Sequence, residues 1–227
     1  GRSGVAIAVR GRGGGTNVQA VLDALRAAGR GGGHIALVVS NRPQAYALTR
    51  AQAAGVPTAV LVKAPGETAH AYGQRLIDLL QAHGIALVVL AGFMLILSEN
   101  VVRAFPERIV NVHPSLIPSF CGAGFYGLRV HAAALAAGVK VTGATVHLVN
   151  EVPDGGRILL QQAVPVQEGD TPESLQQRVM EQAEWHILPQ AVRMMAAAIA
   201  LEGAGDSPPP SPALPAKTPC NPWTNVL

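Results

Sequence analysis

The sequence predicts an α/β fold, a single domain built on a mostly parallel, twisted sheet with helices on both faces. Three observations lead to this prediction. Short apolar runs alternate with segments of helical periodicity over the first half of the chain, which is typical of right-handed βαβ units. Of the 227 residues, 49% are hydrophobic and 14% are charged, a balance that suits a sheet buried on both faces. The second half carries two β-rich runs separated by a loop, which favours an antiparallel extension of the sheet.

Apolar runs in the first half of the chain have the length and the β-branched content of strands. They cover residues 5–9, 34–40, 58–62, 86–91 and 108–112. Helical spacing or Ala-rich composition marks the segments between them, residues 16–29, 44–54 and 67–83. In the first of these segments one helical face is apolar, with Val18, Val21, Leu22 and Leu25. The run at 86–91 is the most apolar, so we expect it to be a central strand.

The second half of the chain has a different order of predicted elements. Residues 140–149 and 157–166 are β-rich and are joined by a loop that contains EVPDGG, so we expect an antiparallel pair. Thr171 and Pro172 then supply the N-cap and the first residue of a long helix, which we expect to bend at Pro189, where a backbone donor is missing. Residues 203–227 are rich in proline and predict a disordered tail, which leaves residues 1–202 as one domain.

Charge and cysteine content exclude several classes of protein. Seventeen Lys and Arg against fourteen Asp and Glu give a formal net charge of +3, and the basic residues are scattered, which argues against a nucleic-acid-binding protein. Cys121 and Cys220 allow neither a disulfide framework nor a CxxC metal site, so we expect a reducing, cytoplasmic compartment. The most apolar stretch, residues 85–97, is shorter than the roughly 20 residues that cross a bilayer. A small anionic ligand is compatible with this composition.

Glycines follow the first predicted strand in RGRGGGTN, residues 10–17. Backbone N–H groups at a helix N-terminus bind anions, so this loop predicts a phosphate site. It is not the dinucleotide fingerprint, because Thr16 stands where the third glycine is required, and no Lys follows the glycines as in a Walker A loop. The alternative is a tight turn in which Thr16 only caps the helix.

Polar side chains stand at the end of the strand predicted at residues 108–112. Asn111 and His113 project from the same side of this strand, because they are two residues apart. An Asn amide can donate a hydrogen bond to an oxygen that becomes negatively charged, and a nearby carboxylate raises the pKa of an imidazole. Asp154 lies on a loop whose flexible Gly155-Gly156 pair would let it approach. We therefore predict a catalytic site without a metal ion; the alternative makes Asn111 a turn-former and Asp154 a hairpin residue.

Motifs in the chain occur in the order and at the spacing of one family. They are GGGTNVQ, SNRP, LAGFM, NVHPSLIPSF, GATVHLV and DGG. Over about residues 5–199 the chain resembles the phosphoribosylglycinamide formyltransferases, which are folate-dependent enzymes of purine biosynthesis with a Rossmann-like fold. The resemblance implies transfer of a formyl group from 10-formyltetrahydrofolate to the amine of glycinamide ribonucleotide. It also implies a tetrahedral intermediate that Asn111 and protonated His113 stabilise while Asp154 assists, with no metal ion.

The resemblance implies the ligand contacts as well. The substrate phosphate and the ribose hydroxyls would contact Gly15, Thr16, Asn17 and Glu184. The folate would lie between two segments, one with Phe93, Met94, Leu95, Ile96 and Leu97, and the other with Leu148, Val149, Asn150 and Glu151. Many family members carry Arg where Leu95 stands. The implied partners are these small molecules. We expect no nucleic acid or membrane, and the oligomeric state stays open between a monomer and a weak homodimer.

Other functions remain as alternatives. A hydrolase that deformylates 10-formyltetrahydrofolate and a transferase that formylates initiator methionyl-tRNA share the Asn-x-His and Asp pattern. These enzymes usually carry His or Gly where Pro114 stands, and each has an additional domain. A folate- or nucleotide-binding protein without turnover is a third alternative, because Arg12 replaces a usual serine in the first loop.

Overall fold

A computed structural model describes residues 4–9, 15–28, 33–91 and 97–203, with side chains from residue 15 onward. Several sequence predictions lie outside these ranges. They concern Arg12 and the rest of residues 10–14, the folate contacts of Phe93, Met94, Leu95 and Ile96, and the tail beyond residue 203. The predicted domain boundary after residue 202 and the predicted tail therefore stay predictions.

Seven strands in the described residues form one sheet in the order β3-β2-β1-β4-β5-β6-β7. The strands are β1 (Gly4–Val9), β2 (His34–Ser40), β3 (Thr58–Val60), β4 (Ile85–Ala91), β5 (Ile109–His113), β6 (Val141–Leu148) and β7 (Ile158–Pro165). Strands β1 to β5 pair in parallel, whereas β6 pairs antiparallel with both β5 and β7. The prediction of a mostly parallel sheet with an antiparallel extension is confirmed, and β4 lies in its interior.

Helices cover both faces of the sheet. They are α1 (Thr16–Ala27), α2 (Tyr46–Ala53), α3 (Ala69–Ala82), α4 (Glu99–Ala104), α5 (Leu128–Ala137), α6 (Pro172–Val179) and α7 (Trp185–Gly203), with a π-helical turn (Met180–Glu184) between the last two. The sequence interpretation did not include α4 and α5. No helix within the described ranges combines the length and the apolar composition that crossing a membrane requires.

Two apolar clusters form the core, one on each face of the sheet. Strand β4 contributes to both, because its successive side chains alternate between faces: Leu87 and Val89 belong to one cluster, Val88 and Leu90 to the other. The first cluster also buries the four predicted positions of α1 against α7, namely Val18, Val21, Leu22 and Leu25. Each such side chain stabilises the fold by about 1.5–3 kcal/mol when it is fully buried. The packed core thus supports the strand ends on which the site is built.

The start of α6 was predicted correctly, and the bend expected at Pro189 stays a prediction. Thr171 accepts a hydrogen bond from the backbone N–H of Ser174 in a capping box, and Pro172 begins the helix. Pro189 lies inside α7, and the regular pattern is interrupted several residues earlier, at the π-helical turn. Proline has no N–H to bond the carbonyl four residues before it, which loosens the helix on that side. Glu184 is the last residue of the π-helical turn and is buried.

Candidate active site

The end of β5 brings polar side chains to one side of the sheet. Asn111 is half-buried and His113 is only 5% exposed. Because β6 runs antiparallel to β5, His147 lies opposite Asn111 and Thr145 lies opposite His113. His147 is 2% exposed and was not among the predicted site residues. The register between β5 and β6 is the signal that identifies it.

Asp154 reaches this site from the loop between β6 and β7. Its Oδ2 lies 3.7 Å from Nδ1 of His113, and its Oδ1 lies 3.5 Å from Nε2 of His147. The backbone N–H of Gly122 donates a hydrogen bond to Oδ2 at 2.8 Å. The structure thus brings the three predicted catalytic side chains together, although 3.7 Å is too long for a direct hydrogen bond between His113 and Asp154.

The loop that carries Asp154 is held by close packing. Asp154 has a φ of 53°, in the left-handed region that Asp adopts more readily than most residues. A Cβ on Gly156 would lie 1.6 Å from the carbonyl oxygen of Leu148, and one on Gly155 would lie 2.7 Å from Cβ of Val152. The glycine pair was expected to supply flexibility. Its role in the structure is to let two segments of backbone approach each other.

The ring of His113 is oriented by the loop that follows β5. Its Nε2 lies 2.8 Å from the carbonyl oxygen of Phe120. Since a carbonyl oxygen only accepts, Nε2 carries the proton and Nδ1, which faces Asp154, is the nitrogen that can gain or lose one. Ser115 donates to the carbonyl of Ser119 at 2.6 Å and thereby fixes the same turn.

Hydrogen bonds from β6 and β7 hold this loop against the sheet. The hydroxyl of Thr145 donates to the carbonyl of Ser115 at 2.7 Å and accepts the backbone N–H of Ile117 at 3.1 Å. The amide of Gln161 donates to the carbonyl of Ile117 at 3.0 Å. Thr145 is fully buried, so these bonds are shielded from water. They fix the segment that presents Phe120 to His113.

The electrostatics of the site correct one expectation. Burial lowers the pKa of His113 below its usual value, and the opposing effects of Asp154 and of the hydrogen bond to Phe120 do not outweigh it. Asp154 acts in the expected direction, since its charge raises the pKa of His113, but the loss of hydration outweighs this effect and the net pKa is lowered. Burial alone would raise the pKa of Asp154, but His147, His113 and the N–H of Gly122 together lower it. The site thus pairs a neutral imidazole with an ionised carboxylate.

A second polar cluster lies at the start of α1. Gly15 is the N-cap, with a φ of 67°, and its side-chain position is filled by Ala47, whose Cα would lie 2.9 Å from a Cβ there. Thr16 is the first helical residue rather than the cap, and no side chain caps the first turn. Asn17 donates to the carboxylate of Glu184 at 3.4 Å. Burial raises the pKa of Glu184 to about 7, although the hydrogen bond from Asn17 opposes this shift.

Comparison with known proteins relates this geometry to a family. The model of the formyl transferase family matches residues 5–192. The chain belongs to the formyl transferase family. The resemblance drawn from the sequence motifs is thereby confirmed, together with the Rossmann-like formyltransferase fold.

Relatives of this formyl transferase carry specific names. The chloroplastic phosphoribosylglycinamide formyltransferase of Arabidopsis thaliana is 39% identical over 171 residues, which are 75% of this chain and 58% of that protein. The trifunctional purine biosynthetic protein adenosine-3 of Bos taurus is 41% identical over 190 residues, 84% of this chain and 18% of that protein. A crystal structure of glycinamide ribonucleotide transformylase 1 from Symbiobacterium toebii superposes with a TM-score of 0.78 at 43% identity, covering 86% of this chain and 88% of that one. The chain therefore spans less than two thirds of these two curated relatives.

The predicted folate contacts of the formyl transferase are described in part. Leu97 and Val149 are half-buried and pack against the same apolar cluster. Leu148 is buried in the other cluster, and its N–H donates to the carbonyl of Arg157 while its own carbonyl oxygen lies 2.9 Å from Nδ1 of His147. The remaining two predicted contacts, both exposed, are Asn150 and Glu151. Contact of these residues with a folate stays a prediction.

A buried histidine lies near the site. His131, on α5, is fully buried, and neither of its ring nitrogens has a hydrogen-bond partner among the described residues. Burial and the proximity of His113 lower the pKa of His131 to about 4. Within the described part of the chain, no three His, Cys, Asp or Glu side chains are placed to hold a metal ion.

Proposed function

We propose that this formyl transferase moves a formyl group from 10-formyltetrahydrofolate to the amine of glycinamide ribonucleotide in de novo purine biosynthesis. The observation that carries the proposal is the convergence of Asn111, His113 and Asp154 at the carboxyl end of β5. Ligands of open α/β sheets bind at the carboxyl ends of the strands. The names of the relatives, including a phosphoribosylglycinamide formyltransferase, support the same reaction. The proposed setting is the cytoplasm, with small molecules as partners.

The nucleotide is proposed to bind at the start of α1. Because Gly15 offers no side chain to cap the helix, the N–H groups of Thr16 and Asn17 are available to a phosphate, and the helix dipole favours the negative charge. Within the described ranges, Glu184 accepts one hydrogen bond, from Asn17, and a carboxylate has further acceptor positions for the ribose hydroxyls. These two features define the ends of a nucleotide site on one side of β1.

The formyl donor is proposed to lie beside Leu97 and Val149, whose apolar side chains suit a flat ring, and beside Asn150 and Glu151. Bound there, 10-formyltetrahydrofolate supplies the formyl group. Glu151 forms an exposed ion pair with Arg103 on α4, at 3.3 Å, which connects the loop between β6 and β7 to that helix. The proposed contacts use the residues that the structure describes, and they leave the reacting carbon facing Asn111 and His113.

The proton movements follow from the geometry of His113. In its neutral state, Nδ1 takes a proton from the substrate amine as that amine forms its bond to the formyl carbon. The ionised Asp154, 3.7 Å away, stabilises the imidazolium that results. The Nε2–H group continues to donate its hydrogen bond to the carbonyl oxygen of Phe120. Asn111 donates an N–H to the formyl oxygen as it becomes negative. Nδ1 then returns the proton to the departing nitrogen of the donor as the bond of that nitrogen to the formyl carbon breaks.

The experiment that tests this proposal follows tetrahydrofolate release in the presence and absence of glycinamide ribonucleotide. Release that requires the nucleotide is the expected result. Equal release without the nucleotide would assign the protein as a deformylase instead. Binding of both ligands with no release at all would assign it as a binding protein.

A further inference from the structure

The ring of His147 has a tautomer that its surroundings determine. Its Nδ1 lies 2.9 Å from the carbonyl oxygen of Leu148, which can only accept a hydrogen bond. Nδ1 therefore carries a proton. In the neutral ring, Nε2 is then left with a lone pair, and it is the only acceptor that the ring can offer.

The amide nitrogen of Asn111 lies within hydrogen-bond distance of this lone pair. Its Nδ2 lies 3.3 Å from Nε2 of His147, and the two residues face each other across β5 and β6. An amide nitrogen carries two N–H groups, so one can bond to His147 while the other stays available. If the amide were turned over, its carbonyl oxygen would meet the lone pair of Nε2, and two acceptors would repel. The neutral ring therefore selects one orientation of the Asn111 amide.

We propose that His147 is a positioning residue, which acts through Asn111 by accepting one amide N–H at Nε2 and so orients the amide for the formyl oxygen. This inference rests on the proposed formyl transfer. The side chain of His147 is only 2% exposed, so this end of the bond is shielded from solvent. Without the His147 ring in this position, the Asn111 amide could rotate. An N–H donor stabilises a developing negative charge best when its direction is fixed before the reaction.

Asp154 is the competing partner of the same nitrogen. Its Oδ1 lies 3.5 Å from Nε2, longer than the 3.3 Å to Asn111. A doubly protonated ring would donate to this oxygen, and this is the form in which His147 lowers the pKa of Asp154, but such a ring would no longer accept from Asn111. The two arrangements therefore differ in one proton on Nε2, which spectroscopy can locate.

Paired substitutions separate the two ring nitrogens. In His147→Asn the side-chain amide nitrogen falls near the position of Nδ1 and keeps the bond to Leu148, but nothing replaces Nε2. In His147→Gln an amide oxygen reaches the position of Nε2 and accepts from Asn111. We expect His147→Asn to lower kcat by about 30-fold with KM for the nucleotide changed less than about twofold, and His147→Gln to retain kcat within about threefold. Equal losses in both variants would overturn the proposal.

A double-mutant cycle tests whether His147 acts through Asn111. In an Asn111→Ala background, His147→Asn should reduce kcat by less than about twofold further, because the amide that it positions is gone. A full further loss in that background would show an independent role and overturn the proposal.

Nitrogen-15 NMR of the wild-type protein provides a readout that needs neither turnover nor a variant. We expect Nδ1 of His147 to be protonated and Nε2 to carry a lone pair. A proton found on Nε2 would contradict the assignment even if the enzyme transfers formyl groups, whereas loss of formyl transfer with the expected tautomer would contradict only the proposed function.

Discussion

One oxygen of the Asp154 carboxylate accepts a hydrogen bond from the backbone N–H of Gly122, at 2.8 Å. This bond joins the loop after β5 to the loop between β6 and β7, the two segments that surround the ring of His113. It also fixes the carboxylate 3.7 Å from Nδ1 of that ring. The neutral imidazole of His113 therefore lies beside a fixed negative charge. When the ring gains a proton, that charge stabilises the imidazolium.

Removal of the charge on Asp154 should separate turnover from nucleotide binding. We expect Asp154→Asn to lower kcat by about 100-fold or more, because the imidazolium of His113 loses its counter-charge, while the dissociation constant of glycinamide ribonucleotide changes less than about threefold. Steady-state kinetics and calorimetry measure the two quantities. Asp78→Asn, at an exposed carboxylate on α3, is the matched control and should change neither. Equal losses of turnover and binding in Asp154→Asn would contradict the role given to this residue.

A side chain at Gly156 should disrupt the loop between β6 and β7. In Gly156→Ala the new Cβ would lie 1.6 Å from the carbonyl oxygen of Leu148, so the backbone must move. We expect a loss of about 3 kcal/mol or more in the free energy of unfolding, measured by urea titration. Gly203→Ala is the control, since no atom lies within 4 Å of its added Cβ. Similar unfolding midpoints for the two variants would refute the close packing described for this loop.

The pKa of Glu184 predicts a pH-dependent gain from one substitution. In the folded state this pKa is about 7, above the usual 4.5, so the folded protein binds the proton more tightly than the unfolded chain. The protonated side chain therefore contributes its full stabilisation below pH 4.5, and this contribution is lost as the pH rises through 7. Glu184→Gln keeps a neutral side chain at every pH. Relative to wild type, we expect its free energy of unfolding to increase by roughly 3 kcal/mol between about pH 4.5 and pH 8.5. A difference that is independent of pH would indicate that Glu184 ionises normally.

The buried ring of His131 predicts the opposite pH dependence. Its folded pKa of about 4 lies below the usual 6.5, so the unfolded state binds more protons and stability is lost as the pH falls through this interval. We expect His131→Leu to gain roughly 2 kcal/mol over wild type between about pH 8 and pH 5, measured by thermal or urea unfolding. His186→Leu, at an exposed position on α7, should show no such gain. The same slope in both variants would mean that burial of His131 has no electrostatic consequence.

Periodicity predicted the elements whose side chains alternate strongly between core and solvent. Strand β2 has the predicted bounds, residues 34–40, and the apolar face of α1 is the one that is buried. Helix α5 was missed because apolar residues and alanines occur at nearly every one of its positions, which removes the contrast that marks a helical face. Helix α4 has only six residues, too few for a periodic signal.

The candidate site was predictable only as far as local sequence determines it. Asn111 and His113 share a side of β5 because they are two residues apart, whereas the contact between Asn111 and His147 joins positions 36 residues apart and depends on strand register. The direction of the pKa shift of His113 depends on how deeply the folded chain buries the ring, which no motif specifies. Tertiary packing therefore determines the protonation states, although the sequence contains the groups.

The most direct test of formyl transfer counts products in a single turnover. The protein is mixed with glycinamide ribonucleotide and a donor labelled with carbon-13 in the formyl group, and the label is located by mass spectrometry. We expect one formylated nucleotide for each tetrahydrofolate released. Label recovered as formate, with the nucleotide unchanged, would contradict it.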